Sequence, residues 1–390
     1  MKKLVASLCF SFMLLFGFSS ASATSFKDVP ANHPAAKEME WAKKNGFLNG
    51  YKDGKFYPNN KLTEAQFVAM MANYYQNISS QSLKPLKGEH WSEPYYREFK
   101  KYKIPLLDYY STYGRSYPIT RGEMARFVAA GQNVASDGYN AVQYMYKHKI
   151  SQGKSSRVQN FHTYGYNDEL ARWHAAKFLY NLHKAGIRQV QPFNISKAAS
   201  PSFQLKDANG QAFEVNTKKM NGIYGYATFD DGPFSVWAGA GEGDLMFRAD
   251  YQLTLHQLGN PAILSRLVEP NYEYNYTRNL IRVEQSTIAG QGDLLFVEAT
   301  MSSNFRGANV YMVKDGQLVQ LDTREDFGLY YTWSPRLTAK NQLQTLSYYN
   351  HEASWYLNTY RIDTKTEEIY DVGSRKISNK QKDDFLSKWY

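Results

Sequence analysis

Asn49–Phe67 reads NGYKDGKFYPNNKLTEAQF, and Tyr117–Phe127 reads YPITRGEMARF. Both pass from a Tyr-Pro turn, Tyr57-Pro58 and Tyr117-Pro118, into Thr-x-x-Gln or Thr-x-x-Glu: Thr63 with Gln66, Thr120 with Glu123. That spacing is the capping box. The threonine hydroxyl accepts from the backbone N–H three residues on, and the later side chain accepts from the threonine N–H, which satisfies donors that a helix start leaves unpaired. One such box is common; two at matching places predict a repeated helix start, with all four residues as structural caps.

Around these starts the chain divides into three helix–loop–helix units, residues 24–76, 83–133 and 137–187. In the first, Ala36, Met39, Trp41, Ala42 and Phe47 repeat near the 3.6-residue helical period, and Gly46 supplies a stop. The loop GYKDGKFYPNN, with two glycines, a proline and two asparagines, turns more than once before Thr63. The third unit is looser: Gly138–Gly186 keeps the apolar periods but lacks the capping box.

FKDV (Phe26–Val29), NGYKDGKFYPNNKLTEAQF, HWSEPY (His90–Tyr95) and YPITRGEMARF together resemble the S-layer homology (SLH) domain, whose pattern is F-x-D-V, H-W-A, G-Y-x-D-G-x-F-x-P and T-R-A-E. The resemblance runs from Phe26 to about Gly186 as three tandem copies. It implies a compact three-fold assembly around a central helical bundle, attached noncovalently to a pyruvylated, anionic secondary polysaccharide of the bacterial cell wall. An arginine just after the cap lies where a helix's free N–H groups and dipole favour an anion, and its planar fork can grip a carboxylate with two bonds. Arg121, beside Thr120 and Glu123, fits that role. Arg172 occupies the corresponding place, with Ala171 and His174 in place of Thr and Glu. The candidate polysaccharide-binding residues are thus Arg121, Thr120, Arg172 and Trp91, the last by stacking on a sugar. An internal ion pair is the competing role for either arginine, as a place in the core is for Trp91. The first unit departs: Glu64 stands where arginine belongs, so that pocket is expected to be inactive or altered, and His33-Pro34-Ala35 replaces H-W-A. Asp28 of FKDV is expected to cap or turn the chain locally.

The 390 residues are 43% hydrophobic and 16% aromatic, too much bulky apolar matter for a disordered chain, and a mean hydropathy of -0.58 excludes a polytopic membrane protein. Lys2-Lys3, the apolar run Leu4–Phe18 and Ala21-Ser22-Ala23 read as a secretory signal peptide, residues 1–23, with a mature start at Thr24. Its removal would take away Cys9, the only cysteine, and with it any disulfide or thiolate chemistry; no transmembrane segment would remain. The expected location is the wall or surface layer of a Gram-positive-type bacterium. Charge is uneven: residues 24–190 hold 24 Lys+Arg against 13 Asp+Glu, residues 191–390 hold 20 against 23. A basic exported module suits an anionic polymer, and with no nucleic-acid motif present, nucleic acid is not an expected partner.

Residues 188–203, with two prolines and no helical period, read as a linker, and 204–390 as a β-rich domain. GDLMFRA begins at Gly243, GDLLFVEA at Gly292 and NQLQTLSY at Asn341, a 49-residue period that predicts a propeller-like domain, with a sandwich as the alternative. Only SNKQKDDFLSKWY reads as helix, capped by Ser378. There is no H-E-x-x-H, G-x-S-x-G or phosphate-binding glycine loop. Asp230-Asp231 read as turn residues and His351-Glu352 as solvated or structural, Glu242 with Asp244 is likewise assigned no site, and so no cofactor, metal or catalysis is expected. The sequence therefore predicts a wall-anchored surface protein. The alternatives are a wall-anchored enzyme acting on polysaccharide, or a structural protein of a surface or spore layer that associates with other surface-layer proteins.

Overall fold

The computed structural model describes residues 26–389 apart from 107, 110, 135–136, 231, 237–239, 279–280, 303–304 and 325–327. The signal-peptide reading of 1–23, Cys9 and Asp231 lie outside the described residues.

Residues 26–190 hold three helix pairs: α1 (Ala36–Lys44) with α2 (Glu64–Tyr74), α3 (Glu93–Lys101) with α4 (Arg121–Gly131), and α5 (Gly138–Lys147) with α6 (Arg172–Lys184). Gly46, at φ 72°, turns the chain out of α1. Both halves of the capping box form at α2 and at α4, whereas Ala171 brings no side-chain cap to α6. The second helices pack together, with Phe127 edge-on to Phe67 at 5.1 Å and Phe178 6.5 Å from Phe67.

Just before each second helix, three backbone bonds close a ring. Leu62 N–H donates to Leu170 O (2.8 Å), Leu170 to Ile119 O (2.8 Å) and Ile119 to Leu62 O (2.9 Å). The next turn repeats the cycle, with Glu64 N–H on Tyr117 O, Arg121 on Asp168 O and Arg172 on Asn60 O. Three N–H groups that capping boxes do not reach thereby find carbonyls in a neighbouring unit. The arrangement has pseudo-three-fold symmetry, and it sets the start of each second helix over the loop of the next unit. Asp28 is not a local cap. Its carboxylate reaches across the first unit to accept from Phe56 N–H (2.7 Å) and Tyr57 N–H (2.8 Å), pinning the polar loop, because a loop so rich in turns offers two adjacent N–H groups with no ladder partner.

The remainder is β-rich. One sheet holds β1 (Ser202–Lys206), β2 (Ala212–Lys219), β3 (Ile223–Tyr226), β4 (Leu245–Gln257) and β5 (Ile263–Asn275), in the order β1-β2-β4-β3 with β5 also on β4. The second holds β6 (Ile281–Glu284), β7 (Leu294–Thr300), β8 (Arg306–Lys314), β9 (Gln317–Leu321) and β10 (Leu329–Tyr331), in the order β10-β8-β7-β6 with β9 also on β8. The third is the meander β11 (Trp333–Ala339), β12 (Gln342–Tyr349), β13 (Ser354–Asp363) and β14 (Glu368–Ile377). Among the described residues all pairings within these sheets are antiparallel and no sheet closes on itself. The 49-residue period falls on successive sheets, at the starts of β4, β7 and β12. Asp315 (φ 50°) and Gly316 (φ 71°) make the tight turn between β8 and β9, where two positive φ values match the twist of the strands. A helix, α8 (Asn379–Trp389), follows the third sheet.

One hydrophobic core runs through both parts, from Phe26 in the first unit to Leu318 in the second sheet. Buried Arg126 of α4 donates to the carbonyls of Tyr276 and Thr277, Tyr139 Oη donates to Gln204 O (3.0 Å), and Phe161 N–H donates to Gln285 Oε1 (3.0 Å). Residues 188–203 run along this seam: Gln191 N–H meets Gly131 O (2.8 Å), the short α7 (Ile195–Ala198) follows, and Ala198, Ala199 and Phe203 are buried. Among the described residues no helix is long and apolar enough to cross a membrane.

Candidate functional site

The ring makes three equivalent junctions, each placing the first residue of a second helix against the loop of the neighbouring unit. At the first, Arg121 Nε donates to Tyr164 O (3.0 Å) and Nη2 to Ser151 Oγ (2.9 Å), with the guanidinium 5.0 Å from the Tyr164 ring centre. At the second, Arg172 Nε donates to Phe56 O (2.8 Å) and Nη2 to Asn49 O (2.8 Å), with the guanidinium between the Tyr51 and Phe56 rings at 4.9 and 4.7 Å. The two arginines are thus held alike, and among the described residues neither meets a carboxylate.

A cavity of about 420 Å³ opens beside Arg121. Lys149, Lys177 and Lys184 add charge to its lining, Trp173 and His174 add rings, and among the described residues no acidic side chain lines it. His174 reports the local field. Burial, then the charges of Arg121, Lys61 and Lys177, push its pKa down to about 4, so the imidazole is neutral at pH 7, and among the described residues its buried Nδ1 has no hydrogen-bond partner. A cavity of about 250 Å³ opens beside Arg172, lined by Asn49, Tyr51, Gln66, Asn73 and Trp91. Burial lowers the Arg172 pKa from its ordinary value, opposed by Tyr51 and Asp28. Trp91 is 48% exposed, and the fold brings it to Arg172 rather than to Arg121.

The third junction is filled by the protein's own side chains. Glu64 is 6% exposed and accepts from Tyr96 Oη (2.7 Å). Burial pushes its pKa up to about 8, with the Tyr96 bond opposing. Arg115, 1% exposed, lies 3.9 Å from the Tyr96 ring centre, pairs with Glu93 (2.7 Å) and donates to the carbonyls of Asp108 and Tyr109.

Thr120 spends its hydroxyl inside the capping box: Oγ1 accepts from Glu123 N–H (3.1 Å) and lies 2.9 Å from Glu123 Oε2, which also takes the Thr120 N–H (2.7 Å). Thr63 and Gln66 make the same exchange at α2. Sequence reasoning passed over Lys149, Lys177, Lys184, His174 and Tyr51. The usable signal was the stripe His174, Lys177, Asn181 and Lys184, whose spacing of three, four and three residues puts polar groups on one face of α6. Among the described residues no group of three His, Cys, Asp or Glu side chains could hold a metal.

Residues 25–68 match the S-layer homology domain family. Two proteins of Acetivibrio thermocellus are similar over part of their length. Cell surface glycoprotein 1 is 27% identical over 66 residues, 17% of this chain and 3% of that protein. A cellulosome-anchoring protein is 27% identical over 82 residues, 19% of this chain and 18% of that protein. The matches therefore cover less than a fifth of either relative. The family match spans α1, the loop pinned by Asp28, and the capped start of α2, so the chain carries an S-layer homology domain at its first helical unit.

Proposed function

We propose that the chain is an exported surface protein held noncovalently on the wall of a Gram-positive-type bacterium, with all three helical units acting as SLH repeats. The Arg121 groove, and with it the Arg172 groove, takes the anionic groups of a secondary wall polysaccharide, such as the carboxylate of a pyruvyl ketal; the Glu64 junction takes none. The observation that carries this reading is a groove lined by Arg121 and three lysines without an acid, in which the arginine fork has no carboxylate partner of its own among the described residues. An anion there gains charge-assisted bonds and displaces no ion pair. The relatives' printed names, a surface glycoprotein and an anchoring protein, accord with it. The role is binding, not catalysis, and the three sheets are blade-like units displayed from the wall.

The test is co-sedimentation of the purified chain with cell-wall sacculi, before and after acid extraction of their secondary polymer. Binding is expected to vanish on extraction, and Arg121→Lys, which keeps the charge and loses the planar fork, to weaken it about tenfold. Undiminished binding by Arg121→Lys, or equal binding to extracted sacculi, would overturn the assignment.

A further inference from the structure

The β-rich part carries a cleft with a different chemistry. It lies between the second and third sheets, encloses about 600 Å³, and is walled by Phe305, Tyr330, Tyr349, Tyr360 and Tyr370. Tyr349 and Tyr370 are 37% and 38% exposed. The floor is fixed. Leu329 and Ile369 belong to a second buried core shared by the two sheets, and beneath it Asp322 N–H donates to Glu367 O and Ile369 N–H to Asp322 O, both at 2.7 Å.

We propose that this cleft binds a neutral glycan. Four of its five rings are tyrosines, and the two exposed ones, Tyr349 and Tyr370, each offer an apolar ring and a hydroxyl at its edge, the pairing that a sugar ring presents in return with its C–H face and equatorial hydroxyls. A purely apolar ligand would desolvate the Tyr349 and Tyr370 hydroxyls and give them nothing to bond to. At the rim cation and anions stand side by side: both oxygens of Glu368 lie 3.0 Å from Arg324 Nη2, and Asp371 accepts from Gly373 N–H (2.6 Å). No cationic field like that of the Arg121 groove favours an anionic sugar here. A proline-rich peptide offers acceptors but no N–H donor at its prolines, so it answers only half of what a phenol hydroxyl presents, whereas sugar hydroxyls answer both.

The experiment is affinity electrophoresis of the full chain through gels containing hydroxyethylcellulose, laminarin, arabinoxylan or galactomannan, with a proline decamer titrated separately by calorimetry. At least one polysaccharide retards the chain, Tyr349→Ala and Tyr370→Ala each weaken that retardation about tenfold, Tyr349→Phe, which keeps the ring and loses the hydroxyl, weakens it less than the alanine variant, and Leu86→Ala, at an exposed residue of the helical part, leaves it within about twofold. Thermal midpoints of the variants separate loss of the cleft from loss of the fold, and Tyr349→Phe keeps the stacking face if the alanine variant unfolds. Retardation by none of the four, retardation indifferent to both tyrosines, or tyrosine-dependent binding of the proline decamer alone would each overturn the proposal.

Discussion

Replacing Glu64 by glutamine should stabilise the protein, and by an amount that depends on pH. The carboxyl titrates near 4.5 when exposed and near about 8 in the folded chain, because burial disfavours the anion more than the Tyr96 hydrogen bond supports it. Between those values the folded protein holds a proton that the unfolded chain has released. Stability therefore falls as pH rises through this window and levels off above about 8. At about 1.4 kcal/mol for each tenfold change in proton affinity, the full gap corresponds to about 5 kcal/mol; partial hydration of the ionised group reduces this, and about 3–5 kcal/mol is expected. Glutamine has no proton to lose, and its amide oxygen can still accept from Tyr96. Urea unfolding of both proteins, followed by tyrosine and tryptophan fluorescence from pH 4 to pH 9, gives the difference directly. Asp137, whose pKa burial raises to about 7, adds the same slope to both proteins and cancels. The advantage of Glu64→Gln should be near zero at pH 4 and largest at pH 9; a difference that stays flat across that range would refute the assignment of a buried, proton-holding Glu64.

Two further outcomes are expected. Thr120→Ala removes both hydroxyl contacts of the α4 capping box and should cost about 1 kcal/mol in urea unfolding, while Thr120→Ser should cost no more than a few tenths. Glu298, 1% exposed, accepts from Arg282 Nε (2.9 Å), Arg306 Nη1 (2.9 Å) and Tyr331 Oη (2.7 Å), so Glu298→Gln, which leaves guanidinium charge uncompensated at a buried site, should cost about 3–5 kcal/mol by the same assay.

The parts of the fold legible in the sequence are those whose chemistry is local. Thr63 with Gln66 and Thr120 with Glu123 satisfy their own helix starts, so a spacing of three residues announces them. The 49-residue period survives because each sheet repeats the same strand and turn requirements. The ring through Leu62, Ile119 and Leu170 is invisible in the sequence, since backbone groups make it and any apolar residue can stand there. The grooves are hidden for a related reason. Each draws on separate units, so Trp91 of the second unit meets Arg172 of the third and Tyr51 of the first, a neighbourhood that no spacing along the chain encodes. Asp28 reads as a turn residue next to its own neighbours, and only the folded chain brings it the N–H groups of Phe56 and Tyr57. The filled junction at Glu64 depends on Arg115 and Tyr96, neither of which lies in the stretch that resembles the T-R-A-E turn.

The core shared by the helical units and the sheets bears on how load would pass through the molecule. A slack connector would let the sheets swivel and would stretch as a coil under tension. Here Arg126 grips the strand ends at Tyr276 and Thr277, and residues 188–203 lie packed along the seam, so a pull on the sheets is met in parallel by a whole apolar surface in shear. Load applied to the sheets is therefore carried to the helical end through packed side chains and not through a tether, and the tyrosine cleft sits on the loaded side of that joint.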